Sequence, residues 1–272
     1  MFQFGPLSIP YSRFFLLLVV MVIGLTSEIV AGQKKNKMFS IWGWNVGFIA
    51  LVVARVGFVI THLSDFLHRP LSMFYIWQGD FDLLWGILGG VIYTLWFFRK
   101  QPKMLSATIL PIFSVASLFL VLPLFTPNAN TAQPLPELIL YTLDHNPVEL
   151  SAFIGNPLVI NVWATWCPPC RREMPMLNEI AKDNPNIDFL LIDQGEEASK
   201  VQEYFASINI SSDFVLLDPK LEYSQHQGVV GYPSTFFYDT TGKQVDAHYG
   251  ELSRASLNDY LKHIRKTPHK TE

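Results

Sequence analysis

The stretch Asn161-Val162-Trp163-Ala164-Thr165-Trp166-Cys167-Pro168-Pro169-Cys170-Arg171-Arg172-Glu173-Met174-Pro175 decides how this chain is read. It joins a short apolar run, residues 157–163, to a helical pattern over 170–182, so a buried strand feeds a helix with two cysteines at the junction. A thiol at a helix N-terminus meets unpaired N–H groups and partial positive charge, and both favour the thiolate. A thiolate attacks a disulfide to give a mixed disulfide, and a second thiol three residues on reaches back to resolve it. On this reading Cys167 is the exposed nucleophile and Cys170 the shielded resolving thiol.

The 272-residue sequence contains two cysteines, and both lie in this motif. A structural disulfide framework and a four-cysteine metal site are therefore excluded. The competing reading of Cys-x-x-Cys, half of a zinc site, needs two further ligands. His226 and His248 are separate single residues, so no metal and no cofactor is expected. Formal net charge is −3, which gives no general attraction to nucleic acid.

Downstream, residues 188–193 read as a second buried strand and 198–207 as a helix. Residues 213–217 and 235–239 are strand-like, Thr240-Thr241-Gly242-Lys243 is a turn, and another strand follows near 245–249. Ser253 is placed to cap a final helix over 254–266. Its basic end, Lys262, Arg265, Lys266 and Lys270, suits a helix C-terminus. The pattern is a three-layer α/β domain covering 138–272. Before it, residues 126–137 hold three prolines among small polar residues, an extended connector reaching roughly 30 Å.

Upstream the composition changes. Half of all residues are hydrophobic and 16% are charged, and the charge falls mostly in the second half. Four apolar stretches, 12–31, 42–63, 81–98 and 105–125, approach the roughly 20 residues a helix needs to cross a bilayer. Backbone polar groups in hydrocarbon must be paired within the segment, so residues 1–125 read as four transmembrane helices. The third is the weakest, being short with Asp82 at its edge. Lys34, Lys35 and Lys37 follow the first stretch and Arg99, Lys100 and Lys103 the third, whereas the loop after the second carries Asp65, Asp80 and Asp82 against Arg69. Basic loops face the cytoplasm, so both ends of this unit, and everything after Phe125, lie outside. The other reading of the first stretch is a cleaved signal peptide. Cleavage would put the Cys-x-x-Cys half in the cytoplasm and the lysine cluster outside, against the charge rule. Arg55 falls inside the second stretch, where it pairs with lipid phosphate or snorkels, and His62 and His68 read as interfacial.

Two resemblances add to this. The quoted stretch, with Gly231-Tyr232-Pro233-Ser234-Thr235 at the expected separation, resembles the TlpA/ResA branch of the thioredoxin superfamily over about 138 to the C-terminus. The resemblance implies a thioredoxin fold and reductive thiol–disulfide exchange outside the cytoplasm; with the four apolar stretches, the expectation is a multi-pass protein of the bacterial inner membrane with this domain in the periplasm. It also implies client proteins with disulfides, apocytochrome c among them. Pro233 matches the family's cis-proline; the plainer alternative is a trans-proline turn. Trp166, Tyr232 and Pro233 then flank the client. Glu173 matches an active-site glutamate that moves protons, the alternative being a solvated first-turn residue that favours the helix dipole. Pro175 matches a helix-kinking proline. Asn161 stands where cytosolic thioredoxins carry a buried aspartate, which shifts any proton relay towards Glu173. Arg171 and Arg172 read as mostly solvated. The membrane half has no cysteine, so a separate membrane thiol reductant in the style of DsbD/CcdA is implied. The reverse flow, an oxidase or isomerase, stays open, because sequence does not fix the potential.

The second resemblance is to prolipoprotein diacylglyceryl transferase. It rests on Ala54-Arg55-Val56-Gly57, Pro70-Leu71, Ile76-Trp77-Gln78-Gly79 and the glycines from Gly86 to Gly90. The family's histidine and paired glycines are replaced by Leu84, Trp85 and Gly86, and its later arginine–glycine–asparagine region has no counterpart. Residues 1–125 are therefore expected to be an anchor without transferase activity, in contact with membrane lipids, with lipid binding around Arg55 left open.

Overall fold

The structure, a computed structural model, describes residues 2–4, 7–9, 11–121 and 133–266. Residues 126–132 of the expected connector, the last residues of the fourth apolar stretch and Lys270 lie outside these. Apart from the N-terminal residues 2–9, the described residues fall into two compact units, 11–121 and 133–266.

The first unit is helical. Two short paired strands, β1 (Phe2–Phe4) and β2 (Leu7–Ile9), precede it in the chain, and it consists of α1 (Tyr11–Lys34), α2 (Met38–Thr61), a short α3 (Leu63–Leu67), α4 (Leu83–Phe97) and α5 (Ile109–Val121). Helices α1 and α2 are long and apolar enough to cross a membrane. Helix α4 has 15 residues and α5 has 13, about 22 and 20 Å at 1.5 Å per residue, against a hydrocarbon core of about 30 Å. The third stretch is short because Asp82 starts its helix: its Oδ1 accepts the N–H groups of Leu84 and Trp85 as an N-cap. The fourth begins as a 3-10 turn over Pro102–Thr108. Small residues let the helices approach. A Cβ on Gly57 would fall 2.1 Å from Trp85 Cγ, and one on Gly89 2.7 Å from Val53 Cβ. Phe39, Trp42, Val46 and Phe98 fill the interior, and Trp42 Nε1 donates to Thr94 Oγ1 at 3.1 Å.

Arg55 has a different role from those its sequence position allowed. Its Nε donates to Met73 O, Nη1 to Asp80 O and Nη2 to Ser72 O and Tyr75 O, at 3.0–3.4 Å. The Asp80 carboxylate lies 3.8 Å away, and Phe66 offers its ring face. The guanidinium satisfies the carbonyls of the loop between α3 and α4, which neither hydrocarbon nor a lipid phosphate, both without a donor, could do.

The second unit carries a seven-stranded sheet. Its strands are β3 (Ile139–Tyr141), β4 (Pro147–Glu149), β5 (Leu158–Trp163), β6 (Asp188–Asp193), β7 (Val215–Leu217), β8 (Ser234–Tyr238) and β9 (Gln244–Tyr249), in the order β4-β3-β7-β6-β5-β8-β9. Strands β5, β6 and β7 run parallel, while β8, β9 and the β3–β4 pair add antiparallel flanks. Helices α6 (Pro168–Asp183), α7 (Ala198–Ile208), α8 (Glu222–His226) and α9 (Arg254–Lys266) complete it. Side chains on a strand alternate between faces. On β5, Leu158, Ile160 and Val162 enter one core with Leu190, Phe236 and Tyr238, while Val159 and Trp163 enter the other with Met174, Leu177, Phe205 and Leu261. Both faces of the central strand are thus buried, as its largely apolar run, broken only by Asn161, suggests.

In this unit the expected strands and helices are present, with ends moved by no more than two residues. Ser253 caps α9, its Oγ accepting the Ser256 N–H at 3.1 Å. The β3–β4 hairpin has no counterpart in the sequence reading. Residues 133–136, read from their prolines as connector, are joined to the β8–β9 turn: Leu135 N–H donates to Gly242 O at 2.7 Å, and its side chain is buried. The fold is thioredoxin-like in this half.

Candidate functional site

Strand β5 ends at Trp163, and the chain turns through Thr165 and Trp166 into α6. Cys167 is the N-cap of α6, with Pro168 and Pro169 at its first two positions. Proline has no N–H to lose there, and its fixed φ suits a helix start. The first N–H of the helix is that of Cys170, and it points at Cys167 Sγ, 3.3 Å away. Cys167 and Cys170 are joined as a disulfide with Cα atoms 5.3 Å apart. The helix N-terminus thus holds one donor against the sulfur that becomes the thiolate when the bond opens.

The expected exposure of Cys167 is not found in this disulfide form: the residue is 3% exposed and Cys170 is fully buried. Both pack into the core beneath α6, and the N-cap geometry turns the Cys167 sulfur inward towards Cys170. Trp166, by contrast, is 60% exposed. Tyr232–Pro233 is a cis peptide, so of the two readings of Pro233 the cis form is the one present. The Trp166 and Tyr232 rings meet edge to face at 5.8 Å. The structure therefore brings together Trp166, Cys167, Cys170 and the Tyr232–Pro233 loop.

Glu173 is buried, and the solvated alternative is not what is found. Alternation along β5 puts Asn161 on the face covered by α6, where its Nδ2 donates to Glu173 Oε1 at 2.8 Å and to Thr235 Oγ1 at 3.0 Å. The Leu252 N–H donates to Glu173 Oε2 at 2.9 Å. Burial dominates these bonds and pushes the carboxyl up to about 8, so near neutral pH it holds a proton on the buried face of α6, three residues after Cys170.

The residues that the sequence reading missed sit at the carboxyl end of β6, where parallel sheets gather their sites. Glu196 accepts the Thr165 N–H at 2.5 Å and the Thr165 hydroxyl at 2.7 Å. Gln194 Oε1 accepts the Tyr232 hydroxyl at 2.6 Å and the Ser224 hydroxyl at 2.8 Å. Asp193 is buried beside Glu196, accepts its N–H, and burial raises its carboxyl. The strand end was the one signal of these roles. Arg171 and Arg172 are exposed, as read, and each also has a protein contact. Arg172 donates through Nε and Nη2 to the buried Glu251, and Arg171 lies over the Tyr204 ring. Among the described residues no group of three His, Cys, Asp or Glu side chains is placed to hold a metal.

The Redoxin family model matches residues 129–263, and the prolipoprotein diacylglyceryl transferase model matches residues 1–125. The thiol:disulfide interchange protein DsbE of Haemophilus influenzae is 30% identical over 139 residues, 50% of this chain and 76% of that protein. The thiol-disulfide oxidoreductase ResA of Bacillus thuringiensis is 29% identical over 131 residues, 47% of this chain and 75% of that protein. The solved structure of MTB DsbF is 24% identical, with 49% of this chain and 99% of that chain covered and a TM-score of 0.46.

Proposed function

Because the chain belongs, through its C-terminal half, to the thiol–disulfide oxidoreductase family of DsbE and ResA, we propose that it reduces disulfides of client proteins outside the cytoplasm. The observation that carries the proposal is the Cys167–Cys170 disulfide at the start of α6, with the Cys170 N–H on Cys167 Sγ.

In the reduced protein the Cys167 thiolate attacks a client disulfide. A mixed disulfide forms and one client sulfur leaves as thiolate. Cys170 then gives up its proton and attacks Cys167 Sγ, which releases the second client thiolate and closes the Cys167–Cys170 bond. Two electrons pass to the client, and its two sulfurs take up two protons. Glu173 is the buried acid through which the Cys170 proton exchanges, with Asn161 holding its carboxyl in place. Trp166, Tyr232 and Pro233 receive the client chain.

Residues 1–125 anchor this domain in a membrane. We take the anchor as four spans in the bacterial inner membrane, α4 and α5 completing it, with Lys34, Lys35, Lys37, Arg99, Lys100 and Lys103 inside and the redox domain in the periplasm. Reducing equivalents then come from a separate DsbD/CcdA-like membrane protein, since the anchor has no cysteine. Cytochrome c maturation, with apocytochrome thiols as product, is the client chemistry that the TlpA/ResA resemblance implies. The test is Cys170→Ala in cells. Mixed disulfides on Cys167 are expected to identify clients and donor, and recovery of none refutes the proposal.

The transferase match favours a second reading, lipid transfer by the membrane half. Leu84, Trp85 and Gly86 occupy the histidine region, and Arg55 spends its donors on backbone carbonyls. Transfer of diacylglyceryl to a cysteine-containing peptide by the purified protein would establish it.

A further inference from the structure

The four residues Asp193-Gln194-Gly195-Glu196 leave β6 and reach two different loops beside the disulfide. Gln194 first continues the sheet, its N–H donating to Trp163 O at 3.1 Å. Gly195, at φ +73°, then turns the chain back, and the Glu196 N–H closes the turn on Asp193 Oδ1 at 2.8 Å. From this turn the Glu196 carboxylate takes both the N–H and the hydroxyl of Thr165, the residue before Trp166. Gln194 takes the hydroxyl of Tyr232, the residue before Pro233. Trp166 and Tyr232, which face each other edge to face, are thus each tied to the same short turn.

We propose that residues 193–196 act as a brace fixing the spacing of Trp166 and Tyr232, and that Gln194 and Glu196 are positioning residues for the docking of an extended, disulfide-bearing client segment. The proposal rests on the reductase reading above and deepens it. Three features support it. Neither 164–166 nor 229–233 belongs to a helix or strand, so their geometry depends on such side-chain bonds. The ties are buried: Glu196 shows 7% of its side chain and Gln194 9% of the residue, and hydrogen bonds to a shielded carboxylate are the stronger kind. Lys200, one turn into α7, pairs with Glu196 and holds the carboxylate from its solvent side. The wall they support is apolar and open, with Trp166 exposed and Val230 44% exposed on the other loop. Such a rigid aromatic wall binds a chain at little entropic cost.

The test uses the reduced full-length protein in detergent and two probes, a short Cys-x-x-Cys-His peptide disulfide and dithiobis(nitrobenzoate). In Glu196→Ala and Gln194→Ala the KM for the peptide is expected to rise at least about five-fold, the loss of one or two such bonds, while the limiting rate stays within about two-fold. Glu196→Gln keeps an acceptor for the Thr165 N–H and a donor for its hydroxyl oxygen, and is expected to restore the wild-type KM. An unchanged peptide KM in both alanine variants overturns the proposal, as does an equal loss on both probes. Should Glu196→Ala fail to fold, Thr165→Val removes one bond at constant shape and carries the same two outcomes. Amide hydrogen exchange at Trp166 and Tyr232 provides a readout independent of turnover. Faster exchange in the variants supports the brace and unchanged exchange refutes it. Wild-type protein that reduces neither probe refutes the reductase reading and leaves the exchange result to decide the brace.

Discussion

Glu173→Gln isolates the buried acid beneath the disulfide. Each tenfold change in proton affinity is worth about 1.4 kcal/mol, so a rise from 4.5 to about 8 amounts to about 5 kcal/mol of preference for the protonated folded state. The sign follows from burial. Below pH 4.5 the carboxyl is protonated in folded and unfolded chains alike, and its full contribution is present. As pH rises from 4.5 to about 8 the unfolded chain ionises freely while the folded one does not, so stability is lost across that interval and levels off above it. Glutamine is neutral throughout. Its amide nitrogen replaces one of the two oxygens that accept from Asn161 Nδ2 and the Leu252 N–H, a cost that does not vary with pH. The stability of the wild type relative to Glu173→Gln is therefore expected to fall by about 4 kcal/mol between pH 5 and pH 9, with most of the fall below pH 8. Other buried carboxyls, Asp193 among them, titrate in both proteins and cancel in the difference. Pulse proteolysis across a urea series, scored by survival of the C-terminal half with its disulfide intact, measures this at each pH. A difference that stays flat from pH 5 to 9, or grows with pH, refutes the assignment of Glu173 as a protonated buried acid.

Other substitutions test the two units separately. Arg55→Leu strands four backbone carbonyls of the 72–80 loop and is expected to cost about 3 kcal/mol or more, seen as a lower melting temperature in detergent with peptide reduction unaltered once folded. Gly57→Ala forces α2 and α4 apart at Trp85, with loss of the folded membrane unit expected on the same assay. Ser253→Ala removes the cap of α9 and is expected to destabilise the redox unit by about 1 kcal/mol in the proteolysis assay at neutral pH. Cys167→Ser is expected to abolish reduction of the peptide disulfide, and cellular function that survives this substitution would point to a non-enzymatic sensor or assembly role.

Local chemistry wrote much of this molecule into its sequence. The largely apolar run of β5, the Cys-Pro-Pro-Cys at a helix start and the long apolar stretches of α1 and α2 each carry their structural consequence within a few residues. Backbone pairing, periodicity and the helix dipole act over that range. Asp82 was visible as the edge of a weak span, and its capping role explains why the span is short. Tertiary structure alone decided the rest. Glu173 reads equally as solvated or buried until β5 and the Leu252 segment close over it. Arg55 looks like a lipid ligand until the 72–80 loop folds back to take its donors. Glu196 and Gln194, 31 and 38 residues from the partners they hold, carry no local signature. A side chain's charge state and its partners depend on what the rest of the chain brings within about 3 Å, and no window of sequence contains that distance.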